Sequence, residues 1–228
     1  MLKEKKNSGF FRESDRKGCY GIYNLYIKRV IDLLLALPAL VLILPLYAVI
    51  SICIVSEDKG PVFYRAQRGG YKGKPFRIYK FRTMVKNADK IGGSTTALDD
   101  ARITKVGKFL RKTKLDETAN LLNIIPGKMS FIGPRPELLR YTEQYDGDEK
   151  IINLVRPGIT DYSSLEFINL DELVGKENAD ENYEKFVLKE KNRLRIKYAT
   201  TVSFKVDAEI FFTTVWRVLR KAFNYCRK

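Results

Sequence analysis

The chain has 228 residues, one domain or one and a half by length, and can bury a core without disulfide or metal staples. Lys and Arg total 42 against 27 Asp and Glu, a net charge of +15, and there is no histidine. That excludes Ser-His-Asp and Cys-His catalysis and all His-ligated zinc or haem sites.

The excess charge points to an anionic partner: nucleic acid, an anionic membrane surface or a phosphorylated substrate. Cys19, Cys53 and Cys226 are far apart and form no CxxC, which fits a reducing compartment.

Residues 1–25 form a basic tail, with Lys3, Lys5, Lys6, Arg12, Arg16 and Lys17. The apolar run Val30 to Val55 follows, broken only by Asp32, one serine, Pro38 and Pro45. As a helix it is about 39 Å long, enough to span a bilayer core of about 30 Å. Its late start, its length and the lack of a small-residue cleavage site argue against a cleavable signal peptide. A signal-anchor helix is the plain reading. Against it, Pro45 removes a backbone donor and crowds the preceding turn, and both flanks are basic, whereas a spanning helix should favour one side. Residues 26–57 are therefore expected to form a re-entrant membrane helix that bends at Pro45 and leaves through the leaflet it entered. The bend must find internal partners for its backbone.

Residues 58–228 are expected to form the soluble part of the chain. Val62 to Arg65 and Phe76 to Arg82 alternate basic with aromatic or aliphatic residues around Gly69-Gly70 and Gly73, which predicts a small β-hairpin. The same alternation suits a single-stranded nucleic-acid platform or a half-buried strand with a solvated basic face. Ile91 to Asp100 reads as a mobile loop. Helix is expected over 101–125, ended by Pro126-Gly127, and again from Glu137 after the rigid turn Gly133-Pro134-Arg135-Pro136; Pro157-Gly158 marks another break.

Towards the C-terminus the chain is basic again. Phe204, Ala208, Phe211, Val215 and Val218 recur at helical spacing, widened by Phe212 and Trp216. That stripe either packs on the core or lies in the headgroup zone as an interfacial helix. The predicted fold class is α+β, mainly helical: a re-entrant membrane helix hairpin, a small β-hairpin and amphipathic interfacial helices.

The candidate chemistry lies in Lys114-Leu115-Asp116-Glu117-Thr118. On an α-helix adjacent carboxylates point about 100° apart, so they serve one site in different roles. One explanation is purely local: Thr113 and Asp116 have capping-box spacing, and first-turn acids suit the helix dipole. The other rests on Arg102, Lys105, Lys108, Arg111, Lys112 and Lys114, which would lower carboxylate pKa values, keep Asp116 ionised and nucleophilic, and hold phosphates.

An ordered set of segments then resembles the bacterial sugar transferases of the monotopic phosphoglycosyl transferase family. It runs Lys28-Arg29-Val30-Ile31-Asp32, Leu44-Pro45, Gly60-Pro61-Val62-Phe63, Lys74 to Met84, Leu115-Asp116-Glu117, Met129 to Pro136 and Arg156 to Thr160. The resemblance implies a site on the cytoplasmic face of the bacterial inner membrane. Asp116 would attack the β-phosphate of a UDP-sugar, giving an aspartyl-phosphosugar and UMP, and a polyprenyl phosphate, typically undecaprenyl phosphate, would take the phosphosugar. Asp116 and Glu117 would bind Mg²⁺, which suits one or two carboxylates plus phosphate oxygens. Arg82, Arg111, Arg135 and Lys80 are the implied phosphate contacts, the arginines through their planar forks; for Arg82 the alternative is the hairpin's solvated face. Membrane lipids and downstream glycosyltransferases are the other implied partners, and nucleic acid is not.

The pattern also departs from the family. Leu44 stands where a serine often precedes the hairpin proline, Lys128 where many members have Asp, and Asp161 to Phe167 replace a run that usually carries an arginine near the donor. The minimal form, without the multi-span N-terminal region of larger members, is expected. The rival readings are a membrane-anchored basic nucleic-acid-binding protein and a non-enzymatic membrane scaffold.

Overall fold

The computed structural model describes residues 17–88, 100–167 and 179–226. Most of the N-terminal tail, and the predicted loop from Ile91 up to residue 99, lie outside the described residues.

The longest element is helix α1, Lys28–Asp58, entered through a short helix at Lys17–Tyr20 and a π-helical turn at Tyr23–Ile27. Pro38 and Pro45 both lie inside α1. Helix continues through Pro45, where a bend is expected; a proline costs one backbone hydrogen bond and a local clash, which a helix can absorb as a bend. The stretch Tyr23–Asp58 is long and apolar enough to cross a membrane.

Residues Asp32, Ala36, Tyr47, Ile50 and Ile54 are buried, with Ala39, Leu40 and Ile43 packed beside them. This three-and-four spacing makes one stripe of α1 the partner of the rest of the domain. The opposite side, including Leu34, Val41, Leu42 and Ile52, is exposed and apolar.

Both ends of α1 are tied to that same domain. At its start Arg29 donates to the carbonyls of Ile124 (2.5 Å) and Ile125, and Asp32 Oδ1 accepts from Ser130 Oγ (2.9 Å) and Phe131 N (3.1 Å). At its end Glu57 accepts from the backbone N–H groups of Lys105 (2.7 Å) and Val106 (3.0 Å). These belong to helix α2, Lys105–Thr113, and a carboxylate on its first free donors complements the helix dipole.

Strands β1 (Phe63–Arg68) and β2 (Phe76–Phe81) form the predicted antiparallel hairpin, in a register that places Phe63 opposite Phe81 and Tyr64 opposite Lys80. Strands β3 (Ser130–Ile132) and β4 (Gly158–Thr160) make a short parallel pair. The chain crosses there with almost no room: a Cβ on Gly133 would lie 2.3 Å from the Arg156 carbonyl oxygen, and one on Gly158 would lie 2.2 Å from Gly133 N. Both positions require glycine. After the Pro-Arg-Pro turn, helix resumes at Leu139–Thr142, two residues later than expected.

Helix α3 (Lys189–Thr201) runs through the core, burying Leu194, Ile196, Tyr198 and Ala199. Helix α4 (Phe204–Cys226) ends the described chain. Among its described side chains Asp207 and Ile210 are buried, whereas Phe204, Phe211, Phe212, Val215, Trp216 and Val218 are exposed. The apolar stripe read from the sequence is thus not a core-packing stripe. Asp207 docks the helix through its carboxylate, which accepts from the hydroxyls of Tyr23 and Tyr198, each at 2.7 Å, and pairs with Lys28. Among the described residues the domain is mainly helical, with one small antiparallel hairpin and one long apolar helix near its N-terminus.

Candidate active site

The predicted helix over 101–125 is interrupted. Lys114 takes up a left-handed conformation (φ 59°) that ends α2, and Leu115–Asn120 continue as a 3-10 helix before one turn of α-helix at Leu121–Ile124. Asp116 and Glu117 therefore sit on a 3-10 helix, about 120° apart rather than 100°. The capping-box explanation fails on geometry: the Thr113 hydroxyl donates back to the carbonyls of Phe109 (2.9 Å) and Leu110 (3.2 Å). The N-cap is Thr104, which accepts from Gly107 N at 2.9 Å.

Three elements meet at Glu117. Strand β2 brings Lys80, whose Nζ donates to Oε1 at 2.9 Å. The rigid Pro134-Arg135-Pro136 turn brings Arg135, which grips both carboxylate oxygens, with NH1 to Oε2 at 3.0 Å and NH2 to Oε1. Asn123 locks the frame: it donates to the Arg77 carbonyl (2.8 Å) and accepts from Tyr79 N (2.7 Å). One side chain thus clamps β2 to the segment carrying both carboxylates. Asn123 was missed in the sequence, where its one signal is a lone amide among Leu121, Leu122, Ile124 and Ile125.

Asp116 is treated differently. It is buried, and its Oδ1 has no hydrogen-bond partner. Burial and then the Glu117 charge push its pKa up, and Lys80, Lys114 and Arg111 only partly offset this. The expectation of a lowered pKa is corrected here, because the nearest cations face Glu117 instead. For Glu117 burial also acts to raise the pKa, but Arg135 and Lys80 override it and hold the group well below the usual range. Burial lowers the pKa of Lys80, opposed by Glu117. Two adjacent carboxyls are thereby separated in role: one fixed as an anion that organises cations, one left unpartnered.

The other predicted residues lie further out. Arg111 donates from Nε to Thr83 Oγ1 at 2.9 Å, and its charge still reaches Asp116. Arg82 is buried and pairs with Asp58 at the end of α1, with its NH1 unpartnered. The solvated-face alternative for Arg82 is therefore overturned. Asp161, from the run that departs from the family pattern, is fully buried, accepts from Ser163 and Ser164, and its charge is felt at Arg135.

A divalent cation can be tested against this donor set. Among the described residues no group of three or more acidic, Cys or His side chains gathers. The set suits an ion that takes one or two carboxylates and fills its remaining positions with water and phosphate oxygens, as magnesium does. The residues that would hold it are Asp116, whose Oδ1 is without a partner, and Glu117, on loosening one of its ion pairs.

The site thus sets a buried carboxylate without a hydrogen-bond partner beside one that holds a lysine and an arginine, on a domain with a long apolar helix. Comparison with known proteins supplies the class. The bacterial sugar transferase family matches residues 23–221, and the chain belongs to that family. It is 44% identical over 124 residues to a putative undecaprenyl-phosphate N-acetylgalactosaminyl 1-phosphate transferase of Bacillus subtilis, covering 54% of this chain and 69% of the relative. It is 35% identical over 199 residues to an uncharacterised sugar transferase of the same organism, covering 86% and 88%. It is also 35% identical over 199 residues to the UDP-glucose:undecaprenyl-phosphate glucose-1-phosphate transferase of Escherichia coli, covering 85% of this chain and 40% of that longer protein.

Proposed function

We propose that the protein is a phosphoglycosyl transferase that moves a phosphosugar from a UDP-sugar to a polyprenyl phosphate such as undecaprenyl phosphate, the first membrane step of glycan assembly. The observation that carries this reading is Asp116, buried with a free oxygen beside a Glu117 that holds Arg135 and Lys80 in place. The names of the relatives supply the substrate classes.

An Asp116 oxygen attacks the β-phosphorus of the UDP-sugar. The bond from that phosphorus to the bridging oxygen breaks, UMP leaves with the electron pair, and an aspartyl-phosphosugar remains. An oxygen of polyprenyl phosphate then attacks the same phosphorus, and the bond to Asp116 breaks. The raised pKa of Asp116 makes its ionised form the better nucleophile, and burial keeps water from competing. Arg135 and Lys80 carry charge toward the phosphates, with Arg111 behind them and Arg82 bracing the end of α1. Magnesium, held by Asp116 and Glu117, would neutralise phosphate charge.

The membrane reading has its own support. α1 is tied at both ends to one domain, so a helix crossing the bilayer would drag that domain through it. In our reading α1 is the re-entrant element of residues 26–57, residues 1–25 are a basic cytoplasmic tail, and residues 58–228 face the cytoplasm at the bacterial inner membrane. The exposed Trp and Phe residues of α4 lie in the headgroup zone, and downstream glycosyltransferases take the product.

The test is purified protein in nanodiscs with a panel of UDP-sugars, Mg²⁺ and undecaprenyl phosphate, with UMP release as the readout. One sugar should give rapid release, and Asp116→Asn should reduce it by more than a thousandfold. Undiminished release from Asp116→Asn would remove the nucleophile assignment. No release from any sugar would remove the transferase reading.

A further inference from the structure

The face of the hairpin that offers Lys80 to Glu117 extends beyond Lys80. Tyr64 lies directly opposite Lys80, Ala66 opposite Ile78 and Arg68 opposite Phe76. Directly opposed residues stand on the same face with Cβ atoms about 4.5–5.5 Å apart, and residues 64, 66 and 68 share that face by the period of two. Its apolar part is spent on the core: Phe76 and Ile78 are buried, and Ala66 packs beside them against Leu121, Ile124 and Met129. Tyr64 is not. It is 46% exposed and belongs to none of the hydrophobic clusters, unlike its neighbours Phe63 and Tyr79.

An aromatic ring is thus left half open on the strand position nearest the Lys80–Glu117 pair. Arg68 is half-buried and donates from NH1 to its neighbour's carbonyl at Gln67 (2.9 Å). The alternation of basic and aromatic residues along this hairpin is the pattern by which proteins stack nucleobases.

We propose that the Tyr64 ring is the platform for the nucleobase of the UDP-sugar. This rests on the transferase reading above and assigns the leaving nucleotide its place on the hairpin face beside Glu117. Stacking uses the π-face that every base has, so Tyr64 secures the nucleotide without selecting uracil.

The experiment measures KM for the UDP-sugar, KM for undecaprenyl phosphate, kcat, and UMP affinity by calorimetric titration, on full-length protein in nanodiscs. Loss of one base–aromatic stack corresponds to a roughly five- to hundredfold change in affinity. Tyr64→Ala should raise KM for the UDP-sugar and weaken UMP by that factor, leaving kcat and the polyprenyl phosphate KM within about twofold. Tyr64→Phe, which keeps the ring, should stay within about fivefold of wild type. Tyr64→Leu, which keeps apolar bulk, should behave like Tyr64→Ala and guards against loss of folding in the smaller variant.

Unchanged UMP affinity in both Tyr64→Ala and Tyr64→Leu would overturn the proposal, as would a rise confined to the polyprenyl phosphate KM. UMP titration does not depend on turnover. A wild-type protein that binds UMP through Tyr64 yet releases none from any UDP-sugar would overturn the transferase reading and leave this subsite standing.

Discussion

At the scale of single residues, the decisive feature is that Glu117 and Asp116, neighbours in sequence, have opposite surroundings. Arg135 contacts both oxygens of Glu117, a bidentate geometry that lysine cannot reproduce. Arg135→Lys should therefore lower kcat/KM for UMP release by about tenfold to a hundredfold, the equivalent of a lost charge-assisted bond, while a thermal melt stays close to wild type. An unchanged kcat/KM would mean that the bidentate grip has no catalytic consequence. The residue types at this site were readable in the sequence. Their electrostatics were not, because a count of nearby cations along the chain predicts a lowered Asp116 pKa. In the fold distance and burial decide which charges count, and the two cations bound at Glu117, Lys80 and Arg135, come from other parts of the chain.

At the scale of elements, α1 and α4 show how pattern and packing part company. The hairpin appeared where alternation placed it, since a two-stranded pair is a local structure with its turn signals in the chain. The helix over 101–125 did not survive intact, because Lys114 adopts a left-handed conformation that no proline or glycine announces. For α1, the attachments of Arg29, Asp32, Glu57 and Asp58 to one domain carry a topological consequence. Single cysteines introduced at Ser8 and Lys90, in a background with the native cysteines replaced, should both react with a membrane-impermeant thiol reagent only when it has access to the cytoplasmic side. Labelling from opposite sides would require α1 to span. The exposed stripe of α4 could not be separated from a core-packing stripe by periodicity, which reports an amphipathic face and not what covers it.

At the scale of the whole molecule, a buried polar network joins distant parts of the chain. Glu137 accepts from Arg195 (2.6 Å) and Tyr183, Arg195 also donates to Asn192 (2.9 Å), and Asn192 donates to Glu149 (3.0 Å). Burial tends to raise the Glu137 pKa, but Arg195 and Lys191 outweigh it and bring it to about 2. A carboxyl whose folded pKa is depressed adds stability above its unfolded value, and that stability is lost as pH falls through the folded one. The wild-type melting temperature should thus fall between about pH 4.5 and pH 2, by an amount equivalent to at most about 3 kcal/mol. Glu137→Gln should be less stable at neutral pH, by about 3–5 kcal/mol for a buried charge left alone, and should lose that part of the acid dependence. Identical acid profiles for the two proteins would show that Glu137 is not linked to folding.

The sequence by itself determined that these residues include no histidine, that one segment is suited to a membrane, that a basic-aromatic hairpin follows it, and that Asp116 and Glu117 stand side by side among cations. These are properties of composition, local periodicity and ordered motifs, and they need no knowledge of what lies opposite. Only the tertiary structure decided which carboxylate is left open, that Arg82 braces the end of α1, that Asn123 locks β2 to the site, and that both ends of the apolar helix rest on one domain. Each of those depends on residues far apart in the chain meeting in a low-dielectric interior, where distance and desolvation, rather than sequence spacing, set the energies.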